Sequence, residues 1–140
     1  MNRRRLMQKR GRRGSSMAEA AITLPVIMLM TFAMVNVSMA WYAAVAASNA
    51  ANYGARIGSV AQTDPQGLAV SAAQTRLDAV SIGSYSISAS GGGSRGSQIT
   101  VSITWTVPNH IVGLMTLLGG GGNQPNFTGT VISTFRQEGW

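Results

Sequence analysis

Three patterns of apolar and polar positions follow one another along the chain. From Ala20 to Tyr42 every residue is apolar, small or uncharged, and no charged side chain stands between Glu19 and Arg56. These 23 residues predict a helix of roughly 35 Å at about 1.5 Å per residue, long enough to cross a bilayer with modest tilt. Pro25 sits in its second turn, where it removes one backbone hydrogen bond and can kink the helix. Trp41 and Tyr42 stand where an outer aromatic belt is expected.

From Ala43 to Ala61 the helix is predicted to continue beyond the membrane, rich in alanine and carrying small residues every four positions: Ala46, Ala50, Gly54 and Gly58. The last two form a Gly-x-x-x-Gly, and such a row lets backbones approach closely. It has two readings, a contact with another subunit or packing against this chain's own C-terminal part. Thr63-Asp64-Pro65-Gln66-Gly67 reads as a turn, with proline ending the helix. Leu68 to Val80 then shows helical spacing at Ala69, Ala73, Leu77 and Val80, closing at Gly83.

Beyond Gly83 the period becomes two. Tyr85, Ile87 and Ala89 alternate with serines, and Ile99, Val101, Ile103, Trp105 and Val107 alternate with Ser102 and three threonines. Such alternation predicts strands with one buried face. The glycines from Gly91 to Gly96 spell Gly-x-Gly-x-x-Gly, but they lead into a strand instead of a helix, so a dinucleotide site is not expected. Ile111 to Leu118 forms an apolar patch, read as a short helix lying on the sheet or as a partner surface, and four glycines follow. Phe127 to Arg136 is a last strand, with Val131, Ser133 and Phe135 on one face. The expected fold class is α+β: a long membrane helix extended outward, then a small domain with a short helix and a three-stranded antiparallel sheet.

Charge changes the picture at one end only. Arg3, Arg4, Arg5, Lys9, Arg10, Arg12 and Arg13 are seven of the 11 basic residues. The remaining four arginines equal the four carboxylates in number, so the chain from Ser15 onward has no formal net charge. A folded part without a basic face argues against nucleic acid as a partner. Positive charge beside an apolar segment is held in the cytoplasm, which predicts N-in, C-out topology. Met1 to Arg13 has too few apolar residues to bury anything and is expected not to fold by itself. With no cysteine and a single histidine, His110, disulfides and histidine or thiolate metal sites find no ligands. No nucleophile motif accompanies them, so neither an enzymatic site, a cofactor nor a small-molecule substrate is expected.

At the junction of leader and apolar run, Ser16 and Glu19 have the spacing of a capping box, in which serine and glutamate satisfy the first backbone donors of a helix. The same junction carries Gly14 at the leader's end, Ser15 after it, and Glu19 as the fifth residue beyond the glycine. That arrangement resembles the processing site of type IV prepilins. The resemblance implies cleavage after Gly14 by a membrane-embedded prepilin peptidase, and a pairing of Glu19 with the new amino terminus at Ser15. Capping and processing are compatible.

Arg12-Arg13-Gly14, Glu19, the early Leu24-Pro25, the aromatic pair Trp41-Tyr42, and Asn49-Ala50-Ala51 leading to Gly54-Ala55-Arg56 together resemble the TadE-like pseudopilins of the Flp, or tight-adherence, pilus system. The likeness covers Arg12 to about Val60, with only an outline beyond. Two departures are Ala20, where an aromatic is common, and Asn52-Tyr53 in place of a polar-charged pair. The resemblance implies a pseudopilin or minor pilin in the bacterial inner membrane, with a periplasmic C-terminal domain. Its partners would be the prepilin peptidase, other pilins, the assembly platform and the lipid bilayer. The implied organisation is a basic leader over 1–14 removed on processing, a transmembrane and extended helix over 15–61, and a small extracytoplasmic domain over 62–140. A competing reading takes the first forty residues as an ordinary signal peptide, cut near Ala40 after Ser38-Met39 and leaving a secreted or signal-anchored envelope domain. Its apolar region would be longer than is usual.

Overall fold

The computed structural model describes residues 3–117, 119–120 and 125–138. Leu118, the side chains of Leu114 and Leu117, and the glycines at 121 and 122 lie outside the described residues. The element order is α1 (Arg3–Val60), α2 (Pro65–Leu77), β1 (Ser84–Gly91), β2 (Gln98–Val107), α3 (Ile111–Leu117) and β3 (Phe127–Arg136). The fold is α+β, with one long helix, short helices and an open antiparallel sheet in the order β1-β2-β3.

The helix α1 has 58 residues, about 87 Å at the standard rise. It passes through Pro25 without interruption and includes the leader from Arg3. Composition predicted no structure for the leader. Extending a helix that already exists costs far less than nucleating one, and arginine, lysine, leucine and methionine are good helix formers. The same continuity overturns the capping box, because Ser16 lies inside α1 and not at its start.

α2 begins three residues earlier than its spacing suggested, and Pro65-Gln66-Gly67 is its first turn instead of a loop. Asp64 is the N-cap, accepting from the Gly67 N–H at 3.0 Å, and Pro65 occupies a position where a missing N–H costs nothing. Asp64 has φ 46°, and among the described residues no other non-glycine residue has a positive φ.

The core lies between α1, α2 and one face of the sheet. Ala47, Ala50, Ala51 and Ala55 of α1 meet Ala69, Ala73 and Leu77 of α2, over Ile99, Val101 and Ile103 of β2. Alanines bring the helices close, and glycines bring them closer. A methyl group at Gly54 would lie 2.6 Å from the Ala69 carbonyl oxygen. One at Gly58 would lie 2.6 Å from Ile99 Cδ1 and 2.8 Å from the Pro65 carbonyl oxygen. The small-residue row is therefore packed on this chain's own α2 and β2.

The other face of the sheet is lined with hydroxyls. Thr100 and Thr134 are joined at 3.0 Å and Thr104 and Thr130 at 3.1 Å, with Ile132 standing exposed among them. On the buried side, the Trp105 ring covers Gly129 closely enough that a Cβ there would lie 2.6 Å from it. Among the described residues α3 packs chiefly against α1, and not on the sheet where one of the two sequence readings laid it.

Candidate functional site

Gly14 and Ser15 are in α1, one turn before Glu19. Glu19 lies exposed on the helix, and its carbonyl accepts from Thr23 Oγ1 at 2.7 Å. Residues four apart on a helix share a face, so position 15 and Glu19 are neighbours. From Met17 to Val37 the large apolar side chains of α1 are almost all exposed: Ile22, Leu24, Met30, Met34 and Val37 are each at least 60% accessible. Trp41 is 74% accessible and Tyr42 half exposed. By length and composition, the stretch from Ser16 onward can cross a membrane.

One residue of this apolar stretch behaves differently. Asn36 is 1% accessible. Its amide nitrogen donates to Asn109 Oδ1 at 2.8 Å, and its oxygen accepts from the His110 N–H at 3.3 Å. With the amide turned over, the His110 N–H is still met. Asn109 Oδ1 also accepts from the Ile111 N–H at 3.2 Å, where α3 starts. A polar amide without partners in an apolar setting costs about 1–3 kcal/mol, and here both asparagines supply partners to each other. Contact between α1 and the α+β domain therefore reaches back at least to Asn36, and does not wait until after Tyr42 as the apolar run implied. An asparagine alone in an uncharged apolar stretch was the signal that sequence reasoning passed over.

Replacing Asn36 with leucine is expected to raise the apolar character of α1 while freeing α3. The amide of His110 should then lose protection in hydrogen exchange measured in micelles. Unchanged protection there would mean the asparagine pair does not hold α3.

The register of the strands separates two ends of the domain. At the end nearer the apolar part of α1 stand Ser84, Val107 and Phe127, with the loops before β1 and after β2. There Gly83, at φ 84°, comes to the side of Ala43. Ile82 lies with Met39 and Tyr42 along a shallow apolar groove. Tyr85 donates to the Ile82 carbonyl at 2.8 Å, and its phenol is pushed above the ordinary value by burial and then by the neighbouring Tyr42.

At the far end the chain is tied by Gln137, which is 1% accessible. Its Nε2 donates to the Ala61 carbonyl at 2.8 Å, while its Oε1 accepts from the Gly93 N–H at 2.8 Å and from Ser97 Oγ at 3.1 Å. One side chain thus joins the end of α1, the loop between β1 and β2, and the segment after β3. Its role had no sequence signal, since a glutamine between Arg136 and Glu138 reads as surface.

No curated protein and no solved structure matches the chain. Residues 14–56 match the family model described as TadE-like protein. TadE-like proteins are pilus-associated structural components, not enzymes. The matched stretch opens at Gly14, takes in Glu19, Pro25 and the aromatic pair, and closes beside the Gly54 contact with α2, so the likeness to TadE-like proteins lies in the long helix α1.

Proposed function

We propose that the protein is a membrane-anchored pseudopilin or minor pilin of a Flp (tight-adherence) pilus system, cut by a prepilin peptidase after Gly14. The observation that carries this reading is where the family match begins. It starts at the glycine of the junction and extends over the exposed apolar face of α1. The seven basic residues before it hold the leader in the cytoplasm and place the α+β domain in the periplasm of a bacterial inner membrane. The organisation is a leader to residue 14, an anchoring and extended helix over 15–61, and an outer domain over 62–140.

A peptidase acts on extended backbone, so the helix must open locally around the bond between Gly14 and Ser15. Glycine within a helix costs about 1 kcal/mol relative to alanine, and Gly11 and Gly14 make this turn the weak one. Cleavage converts Ser15 into a charged terminus on the same helical face as Glu19. The pair can neutralise each other at the membrane boundary, where an unpaired carboxylate is costly. The remaining partners are other pilins and the assembly platform.

The signal-peptide alternative, with a cut near Ala40, would discard Asn36 and strip Asn109 and His110 of their partner. It would also cut inside a continuous helix. Mass spectrometry of the purified membrane protein tests the choice. Wild type is expected to begin at Ser15, and Gly14→Leu is expected to retain the leader. A wild-type chain that keeps Met1, or one that begins at Trp41, would overturn the proposal.

A further inference from the structure

We infer that α3 is a lipid-contacting element, a short helix held against α1 so that the near end of the outer domain rests in the outer surface of the bilayer. This rests on the reading of α1 as a membrane anchor. Counted from Ala20, just past the charged Glu19, the roughly 30 Å of a hydrocarbon core ends near Met39 of α1. Asn36 then stands within one turn of the outer boundary, and its bonds to Asn109 and His110 hold the start of α3 at that level.

Two further observations name lipid as the occupant. The first is charge. No Asp, Glu, Lys or Arg lies between Arg95 and Arg136, a stretch that includes the whole loop holding α3. Arg95, Arg136 and Glu138 gather at the opposite end, around Gln137. Asp64 caps α2 beside the end of α1, also far from Asn36. The second is exposed apolar surface at one level. Met115 of α3 is 41% accessible, and near the height of Asn36 the side chains of Met34, Val35 and Val37 are exposed on other faces of α1. Uncharged apolar side chains at the level where a membrane helix leaves the core match the boundary between headgroups and acyl chains.

The chain has no cysteine, so single cysteines report position cleanly. Full-length Met30→Cys, Met115→Cys and Gln62→Cys would each carry an environment-sensitive nitrobenzoxadiazole label. They would be placed in phosphatidylcholine vesicles containing lipids with a doxyl quencher either near the headgroup or deep in the chain. Met30 is exposed in the apolar part of α1, and Gln62 is exposed at the far end of the domain. The label at 115 is expected to shift to the blue relative to 62 and to lose intensity with the shallow quencher. The label at 30 should lose intensity with the deep one, and the label at 62 with neither.

Thr116→Cys, on the exposed neighbour of Met115, reads the same helix from a second position and guards against a local packing defect. Quenching at 30 with emission at 115 and 116 matching 62 overturns the inference while leaving the anchor intact. A blue shift at 115 without quenching means protein covers the patch, a second copy included, and also overturns it. Absence of quenching at 30 removes the anchor reading itself, and the inference with it.

Discussion

Gly58→Val is expected to lower the melting temperature of the α+β domain by on the order of 15 °C, following about 3 kcal/mol of destabilisation. At Gly58 the added atoms meet Pro65 backbone and the tip of Ile99 at once, at 2.8 and 2.6 Å from the first carbon alone. The side chain of Ile99 can turn aside. The Pro65 carbonyl is backbone in the first turn of α2, whose position Asp64 fixes by capping, so α2 must move away from α1. That movement opens the seam between the alanines of both helices, where none of Ala50, Ala51, Ala69 or Ala73 can expand to fill it. Helix propensity works the other way by at most about 1 kcal/mol, too little to offset the loss.

The measurement is a thermal melt of the full-length protein in detergent, followed by near-ultraviolet circular dichroism. Asn49→Ala, an exposed change on the same helix, serves as control. An unchanged melt for Gly58→Val would show that the seam is looser than its geometry. An unchanged melt with loss of assembly would return the small-residue row to a contact between subunits.

Gln137→Ala is expected to cost about 1–3 kcal/mol, because the buried Ala61 carbonyl loses its partner and the more exposed Gly93 N–H loses its own. The Ala61 carbonyl and the Gly93 N–H both face the Gln137 amide, and a methyl group satisfies neither. Gln137→Met separates the causes, since it keeps most of the volume and removes both polar atoms. If the bonds matter, methionine should be nearly as damaging as alanine; if packing matters, it should recover most of the stability. The Gly93 amide should exchange rapidly in both variants. A Gly93 amide still protected in Gln137→Ala would contradict the described clamp. The backbone bonds from the Gln137 N–H to Ser97 and from Gly96 to the Gln137 carbonyl survive either change, so loosening should stay at the far end of the domain.

Sequence alone determined what depends on local periodicity and on the solvent each face must meet. The apolar length of α1 made a helix long and apolar enough to cross a membrane readable. The alternation around Ile99 to Val107 and from Phe127 to Arg136 made the strands and their inner faces readable, because a period of two cannot be mistaken for a helical one over ten residues. The residues from Arg12 to about Val60 carried the family likeness, since a glycine, a carboxylate five residues on and a long apolar run form a linear pattern.

Tertiary structure decided what depends on two distant segments meeting. The small row from Ala46 to Gly58 suits any close helix neighbour, and only the return of α2 identified which neighbour it has. Asp64-Pro65 reads as a turn or as the cap of a helix, and the difference lies in whether the following residues find a partner to pack on. Asn36 and Asn109 are 73 positions apart, and Gln137 reaches back 76 positions to Ala61. No local spacing encodes those pairings. They arise because a buried amide must find a partner, and the partner available is set by which ends of the helix and the sheet the chain brings together.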